Sequence, residues 1–252
     1  MEHLWATERK DEAMARLGLL CKVVGKFYHC WAQSCQNVYL QLWCLADLTS
    51  QCGQKKAERE ALRVSCWLRY GDWKSALCRK TLTDDLATDI LLSYKRATDV
   101  DAKHYFAWHR WALINFQLAE QICGKSAVSS LREAEGLPAE NTTKSPTILR
   151  SHVIAAVKGF VRAISVGTKR WSASVQQDLL NLLSCLFKYA TTTNDVASTI
   201  NEGLGSIKIE AWLGVLPQLL ARIHIKSPAV RSVLHPLLVR LGAKHPQALS
   251  EW

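Results

Sequence analysis

Proline and glycine are scarce in this chain, with 6 and 12 residues among 252. The runs of Val, Ile and Thr that a many-stranded sheet requires are also missing, so the composition favours an all-helical protein. No apolar run approaches the roughly 18 to 20 residues of a membrane span, and the N-terminal residues lack the hydrophobic core of a secretion signal. We therefore expect no membrane span and a cytoplasmic or nuclear location.

Signatures of the common catalytic sites are missing as well. The sequence contains no Gly-rich phosphate loop, no Gly-x-Ser-x-Gly elbow, no His-Glu-x-x-His and no His-Arg-Asp or Asp-Phe-Gly kinase motif. His104 and His109 flank Trp108, but five residues of helix turn through about 500°, which leaves the two imidazoles about 140° apart. We expect no catalytic residue, no metal site and no resident cofactor on this chain.

Nine cysteines are present, but no two form a Cys-x-x-Cys pair and no histidine completes a zinc-like set. In a helical chain without a secretion signal, scattered cysteines act mainly as small buried hydrophobic residues. The odd number also argues against a complete disulfide framework.

Basic residues outnumber acidic ones, since 32 Lys and Arg against 22 Asp and Glu give a net charge of +10. This charge suggests an anionic partner. Aromatic side chains between the basic ones would favour nucleic acid. The tryptophans here lie at helical positions typical of buried residues, so nucleic acid is not the expected partner.

The stretch from Ala97 to Glu120 has the pattern of a tetratricopeptide-type repeat, with an acidic turn at Asp101 followed by alternating large and small residues. One helical face is predicted to carry Tyr105, Trp108, Ala112, Asn115 and Ala119. A second trace of the repeat lies at Gly71, Trp73 and Ala76. There we expect Gly71 to end one helix and Asp72 to cap the next.

Apolar periodicity extends this pattern along the chain. The predicted helices cover about 2–24, 27–48, 55–70, 84–97, 174–189, 194–207, 210–225 and 228–249, and a further helix begins at Thr147 and carries an apolar face from Val153 to Ile164. Pro217 is expected to kink its helix and Pro228 to open the last helix pair. The fold class is therefore all-α, an α-solenoid of tetratricopeptide- or HEAT-like helical hairpins. The predicted core residues are Trp67, Gly71, Trp73, Ala76, Trp108, Trp111, Ala112 and Trp212.

The segment 124–147 interrupts the helices, because it is polar, contains two prolines and lacks a sustained apolar face. It is typical of a flexible insertion. We therefore divide 1–252 into tetratricopeptide-like repeats over 1–123, the insertion over 124–147, and further helical pairs over 148–252.

Four segments carry a resemblance to a known family. They are AWHRWALINF at 107–116, GFVRAIS at 159–165, IEAWLGVLPQLLARI at 209–223 and HPQAL at 245–249. In this order they resemble the FAT domain of phosphoinositide-kinase-related protein kinases, and within that family the target-of-rapamycin (TOR) type. The resemblance runs from LWATERKDEA near the N-terminus to the last residues.

The resemblance implies a non-catalytic helical scaffold of a serine/threonine kinase, which clamps the kinase domain of the same full-length protein and contacts TOR-complex subunits. The family also binds inositol polyphosphate in a basic pocket of this region. Arg9 and Lys10 resemble part of that pocket, whereas Asp89 and Cys123 stand where basic residues are expected. The alternative from the repeat pattern alone is a stand-alone tetratricopeptide-like adaptor that binds a peptide.

Overall fold

The computed structural model describes residues 56–77, 84–134, 145–167, 172–191 and 194–250. The helices are α1 (Lys56–Leu77), α2 (Asp84–Val100), α3 (Tyr105–Ala134), α4 (Ser145–Val166), α5 (Ser172–Tyr189), α6 (Asn194–Leu204), a 3-10 segment (Ile209–Val215), α7 (Leu216–Leu220), α8 (Pro228–Lys244) and α9 (Pro246–Ser250). These described residues form no β-strand, and the all-α prediction is confirmed. The helices predicted over 2–24 and 27–48 lie outside them.

The chain divides into two compact units, Met1–Arg69 and Tyr70–Trp252. Within the second unit, helices that follow one another in the chain pack together: α2 on α3, α3 on α4, and α4 on both α5 and α6. The 3-10 segment then packs on α5, and α8 packs on α6. This serial packing of neighbours is the solenoid arrangement that the sequence predicts.

Helices α4 and α8 show how the apolar periodicity builds this core. Both carry buried side chains at three- and four-residue steps, which places them along one helical face. The buried residues of α4 that the periodicity predicts are Val153, Ala156, Val157, Phe160 and Ile164. Those of α8 are Val230, Val233, Leu234, Leu237, Leu238 and Leu241.

Small residues set the crossing of α3 and α4. A Cβ atom added to Gly159 would lie 2.8 Å from Cβ of Ala112 and 3.0 Å from Cε3 of Trp111. Ala112 itself has no exposed surface. The two backbones therefore approach more closely here than larger side chains would permit.

The turn predicted at Gly71 is wrong. Helix α1 runs without interruption from Lys56 to Leu77, so Gly71 ends no helix and Asp72 caps none. Gly71 is instead buried against α2, because a Cβ atom at this position would lie 2.5 Å from Cε1 of Tyr94. A glycine signals both a turn and a close helix contact, and only the partner helix distinguishes the two.

The predicted core residues divide into buried and solvated groups. Five of them are buried, namely Trp67, Gly71, Trp73, Ala112 and Trp212. Trp108 and Trp111 are half-buried. Ala76 is exposed, contrary to the prediction; it is the last residue but one of α1, at the end of the helix.

Two predicted boundaries also change. Helix α3 continues to Ala134, so residues 124–134 of the predicted insertion are helical. Residues 135–144 lie outside the described residues. The division of the chain into repeat regions stays a prediction. The predicted helix over 210–225 is instead a 3-10 segment followed by the short α7, with Pro217 in the first turn of α7. Pro228 opens α8 as expected.

Candidate functional site: polar contacts between the helices

Asp72 lies in the part of α1 that belongs to the second unit, and it connects that part to α2 and α3. Its Oδ1 atom accepts a hydrogen bond of 2.8 Å from the Tyr94 hydroxyl on α2. The same oxygen accepts one from Nη1 of Arg110 on α3. Burial and the neighbouring Asp72 carboxylate raise the pKa of Tyr94, so its hydroxyl remains a proton donor at every physiological pH. This cluster therefore fixes the positions of α1, α2 and α3 by directional contacts.

A second polar cluster connects α3 to α5. The side chain of Asp178 has no exposed surface, and its Oδ2 atom accepts a hydrogen bond of 2.7 Å from the Tyr105 hydroxyl. Its Oδ1 atom lies 2.7 Å from Nδ1 of His109. The rings of Tyr105 and His109 are stacked, with their centroids 5.7 Å apart. Burial and the bond to Asp178 raise the pKa of Tyr105.

A buried amide connects α3 to α4. Nδ2 of Asn115 donates a hydrogen bond of 2.8 Å to the Trp111 carbonyl. Its Oδ1 atom lies 2.9 Å from Nδ1 of His152, and because the amide oxygen can only accept, the imidazole donates. Asn115 is therefore satisfied inside a mainly apolar interface.

Trp108 and Trp111, near the start of α3, contact each other and are both half-buried. Their rings meet edge to face, with centroids 5.9 Å apart. Nζ of Lys95 lies 5.6 Å from the Trp108 centroid and 5.9 Å from the Trp111 centroid. The indole Nε1 of Trp108 donates to the Ala102 carbonyl at 2.9 Å. The pair therefore covers the turn between α2 and α3 and is not part of the innermost core.

Three cysteines belong to the described residues. Cys66, Cys123 and Cys185 are free thiols, and of these Cys185 is buried. Burial raises the pKa of Cys185 to about 12, so its thiol stays protonated and unreactive at neutral pH. Cys185 therefore acts as a small hydrophobic residue, as the sequence predicts.

No group of three or more His, Cys, Asp or Glu side chains among the described residues could hold a metal ion. The helices described here also include none that is both long enough and apolar enough to cross a membrane. Arg9 and Lys10, the predicted polyphosphate contacts, lie outside the described residues.

The sequence reasoning missed the clusters at Asp72 and Asp178. A usable signal existed for Asp178, because it lies four residues before Leu182 and therefore on the apolar face of α5. An acidic residue on such a face requires buried partners. Its partner Tyr105 is 73 residues earlier in the chain, and periodicity carries no information about that pairing.

Comparison with known proteins identifies the family of this chain. A sequence profile of the FAT domain matches residues 1–184. The chain belongs to the FAT domain family. It is 31% identical over 249 residues to the serine/threonine-protein kinase tor1 of Schizosaccharomyces pombe, in an alignment that covers 99% of this chain and 9% of that kinase.

Two further relatives extend the likeness of this FAT domain chain. The serine/threonine-protein kinase TOR2 of Saccharomyces cerevisiae is 31% identical over 266 residues, covering 99% of this chain and 10% of the kinase. The serine/threonine-protein kinase TOR of Oryza sativa subsp. japonica is 37% identical over 185 residues, or 73% of this chain and 7% of the kinase. The chain thus spans a tenth or less of the length of these kinases, in their FAT region.

Proposed function

We propose that this chain is the helical scaffold of a TOR-like serine/threonine kinase, which clamps and regulates a kinase domain in growth and nutrient signalling. The observation that carries this proposal is the match to TOR kinases along 99% of the chain. In this proposal the phosphotransfer chemistry belongs to the kinase domain, and the FAT region contributes no catalytic residue.

The polar clusters support a mechanical role. Packing of apolar faces alone allows helices to slide, whereas the hydrogen bonds of Asp72 and Asp178 are directional and fix one arrangement. Asp72 joins α1, α2 and α3, and Asp178 joins α3 to α5. A force on one helix is therefore passed to helices beyond its immediate neighbour, which is what a clamp around a second domain requires.

The proposed partners follow from this role. They are the kinase domain of the same full-length protein and the protein subunits of a TOR complex, with a cytoplasmic location. Inositol polyphosphate is a further proposed ligand, through Arg9 and Lys10. Isothermal titration of the full chain with inositol hexakisphosphate tests this ligand, and the matched variant is Arg9→Ala with Lys10→Ala, which should weaken binding.

The scaffold proposal is tested first by sequencing the transcript that encodes the chain. We expect the reading frame to continue into a kinase domain. The kinase domain is then expressed separately and mixed with the 252-residue chain, and co-purification by size exclusion is measured. A variant that loosens the scaffold, Asp178→Ala, should reduce co-purification.

Two results would contradict the scaffold. One is a stop codon after Trp252 with a stable, monodisperse product, which favours the tetratricopeptide-like adaptor. The other is a kinase domain that fails to co-purify with the folded chain. A matched control is Asp99→Ala, since this carboxylate is exposed and pairs only with Lys95 on its own helix among the described residues. It should leave co-purification unchanged.

A further inference from the structure

Two surface grooves lie next to each other in the second unit. The first lies between α4 and α6, and its residues include Lys158, Arg162 and Ser206. The second lies between the 3-10 segment and α8, and begins at Ile207. Ser206 and Ile207 are consecutive, so the lining of the second groove begins at the residue after the last lining residue of the first. Together the two grooves carry residues of α4, α6, the 3-10 segment and α8.

Basic side chains dominate this surface. The cationic residues that line the two grooves are Lys158, Arg162, Lys208, Arg240 and Lys244. All five are exposed. Two carboxylates, Glu202 and Glu210, line the same grooves, and Glu210 is paired with Lys244. Among the described residues no acidic side chain lies within ion-pair distance of the other four cations, so their charge is available to a partner.

The spacing of these cations disfavours a purely solvated role. Lys158 and Arg162 are four residues apart on α4, and Arg240 and Lys244 are four residues apart on α8. Like charges at this spacing repel one another on a helix and reduce its stability slightly. On α8 the ion pair between Lys244 and Glu210 already offsets part of this repulsion. On α4 no acidic side chain of the described residues pairs with Lys158 or Arg162, so a bound anionic segment would relieve the repulsion there.

The floor of the grooves is apolar. Val161, Ile207 and Ile209 line the grooves and are almost fully buried. A Cβ atom on Gly203 would lie 2.5 Å from Cγ1 of Val161, so α6 approaches α4 closely beneath the first groove. The surface therefore combines basic rims with an apolar floor.

This combination fits an acidic peptide better than a nucleic acid. None of the residues that line the grooves is aromatic, so they offer no platform on which bases could stack. The carboxylates of Glu202 and Glu210 would repel a continuous phosphate backbone. A peptide can space its carboxylates to meet the basic rims and place apolar side chains on the floor between them.

We infer that the surface formed by these two grooves, here named the basic groove, binds an acidic segment of a protein partner that alternates carboxylate and aliphatic side chains. This inference stands apart from the scaffold proposal, because it rests on the charge and shape of the surface alone. It assigns part of the surplus of positive charge in the sequence to a defined place on the second unit.

The test measures binding of the full 252-residue chain to a fluorescein-labelled peptide of alternating Glu and Leu. Fluorescence anisotropy gives the affinity, and the same peptide with Gln in place of Glu is the neutral control. We expect the Gln peptide to bind at least about tenfold more weakly, and the affinity of the Glu peptide to fall as salt is added.

Charge-reversal pairs locate the site. Lys158→Glu with Arg162→Glu reverses two positive charges in the first groove. Lys208→Glu with Arg240→Glu does the same in the second groove. Each pair should weaken binding about tenfold, because two surface charge pairs are replaced by repulsions. The matched control is Lys226→Glu with Arg231→Glu, two exposed cations outside both grooves that give the same change in net charge. It should change the affinity by less than about threefold.

Circular dichroism establishes that each variant is folded, which is expected since every substituted side chain is exposed. Failure of the Glu peptide to bind would overturn the inference. Equal losses in the groove and control variants, or a loss confined to one groove, would do the same. Tighter binding of a single-stranded oligonucleotide or of inorganic tripolyphosphate would also overturn it in favour of a phosphate ligand.

Discussion

A Cβ atom on Gly71 would lie 2.5 Å from Cε1 of Tyr94 and 2.7 Å from its Cζ. Helices α1 and α2 are thus in contact at Gly71, where α1 has no side chain. The Tyr94 ring cannot easily move aside, because it is 1% exposed and its hydroxyl is bonded to Asp72. The glycine is therefore required for packing, and the polar cluster depends on that packing.

Gly71→Ala should destabilise the protein by about 1 to 3 kcal/mol, the usual cost of an overpacked interior. The measurement is the free energy of unfolding in urea, followed by circular dichroism. Gly124→Ala is the matched control, since this glycine also lies in a helix but has no atom of the described residues within 4 Å of the added Cβ. Gly124→Ala should raise the free energy of unfolding by up to about 1 kcal/mol, because alanine has a higher helix propensity than glycine. Equal effects at the two positions would contradict the proposed contact.

The sequence predicted those parts of the fold that follow from periodicity. The buried face of α8 was predicted residue by residue, because all six apolar positions lie at helical spacing. Gly71 was misread because its local pattern, a glycine followed by Asp72 and Trp73, is typical of a helix-turn-helix. Whether a glycine bends the chain or admits a neighbour depends on α2, and a local pattern does not contain that information.

The polar contacts were less accessible to sequence reasoning for the same reason. Asp178 lies at a position on α5 that periodicity marks as buried, but its partners Tyr105 and His109 lie on a helix much earlier in the chain. The basic groove likewise brings together α4, α6 and α8. The net charge predicted an anionic partner, and only the packing of the helices shows which cations line the two grooves.

The tryptophans provide a graded test of burial. Trp212 is 1% exposed, so Trp212→Ala should cost about 3 to 5 kcal/mol in the free energy of unfolding. Trp108 is half-buried, and the ammonium of Lys95 lies over its ring. Trp108→Ala should therefore cost less, about 1 to 2 kcal/mol. If Trp108→Ala lowered the free energy of unfolding in urea more than Trp212→Ala, Trp108 would be packed more deeply than its half-buried position indicates.

Removal of the buried carboxylate on α5 should be among the most damaging polar substitutions. Asp178→Ala removes the buried carboxylate that accepts from the Tyr105 hydroxyl and contacts the His109 imidazole, and we expect a loss of about 3 to 5 kcal/mol. Tyr105→Phe removes one of these bonds and should cost about 1 to 3 kcal/mol. Thermal unfolding followed by calorimetry measures both.

The double variant of Tyr105→Phe and Asp178→Ala should lose less than the sum of the two single variants, because the shared bond is lost only once. Asp99→Ala is the matched control for an exposed carboxylate, and should change stability by less than about 1 kcal/mol. Additive losses in the double variant would mean that the hydroxyl and the carboxylate do not interact.

His104 should make the start of α3 sensitive to acid. It is the residue just before α3, and its Nδ1 atom accepts a hydrogen bond of 3.3 Å from the backbone N–H of Ala107, which only the neutral imidazole can do. Burial lowers the pKa of His104, and the nearby Asp101 offsets this only in part. A proton would remove the cap and place a positive charge at the positive end of the helix dipole.

Because the pKa of His104 is lower in the folded state than in the unfolded chain, the unfolded chain takes up a proton first as pH falls. The contribution of the cap is fully present above the ordinary imidazole pKa of about 6.5 and is lost as pH falls through the folded value. His104→Asn keeps a capping acceptor but cannot titrate. The melting temperature of this variant should fall less than that of the wild type between about pH 7.5 and about pH 5, since other histidines contribute equally to both. Identical pH profiles would show that the imidazole at position 104 does not cap α3 in its neutral form.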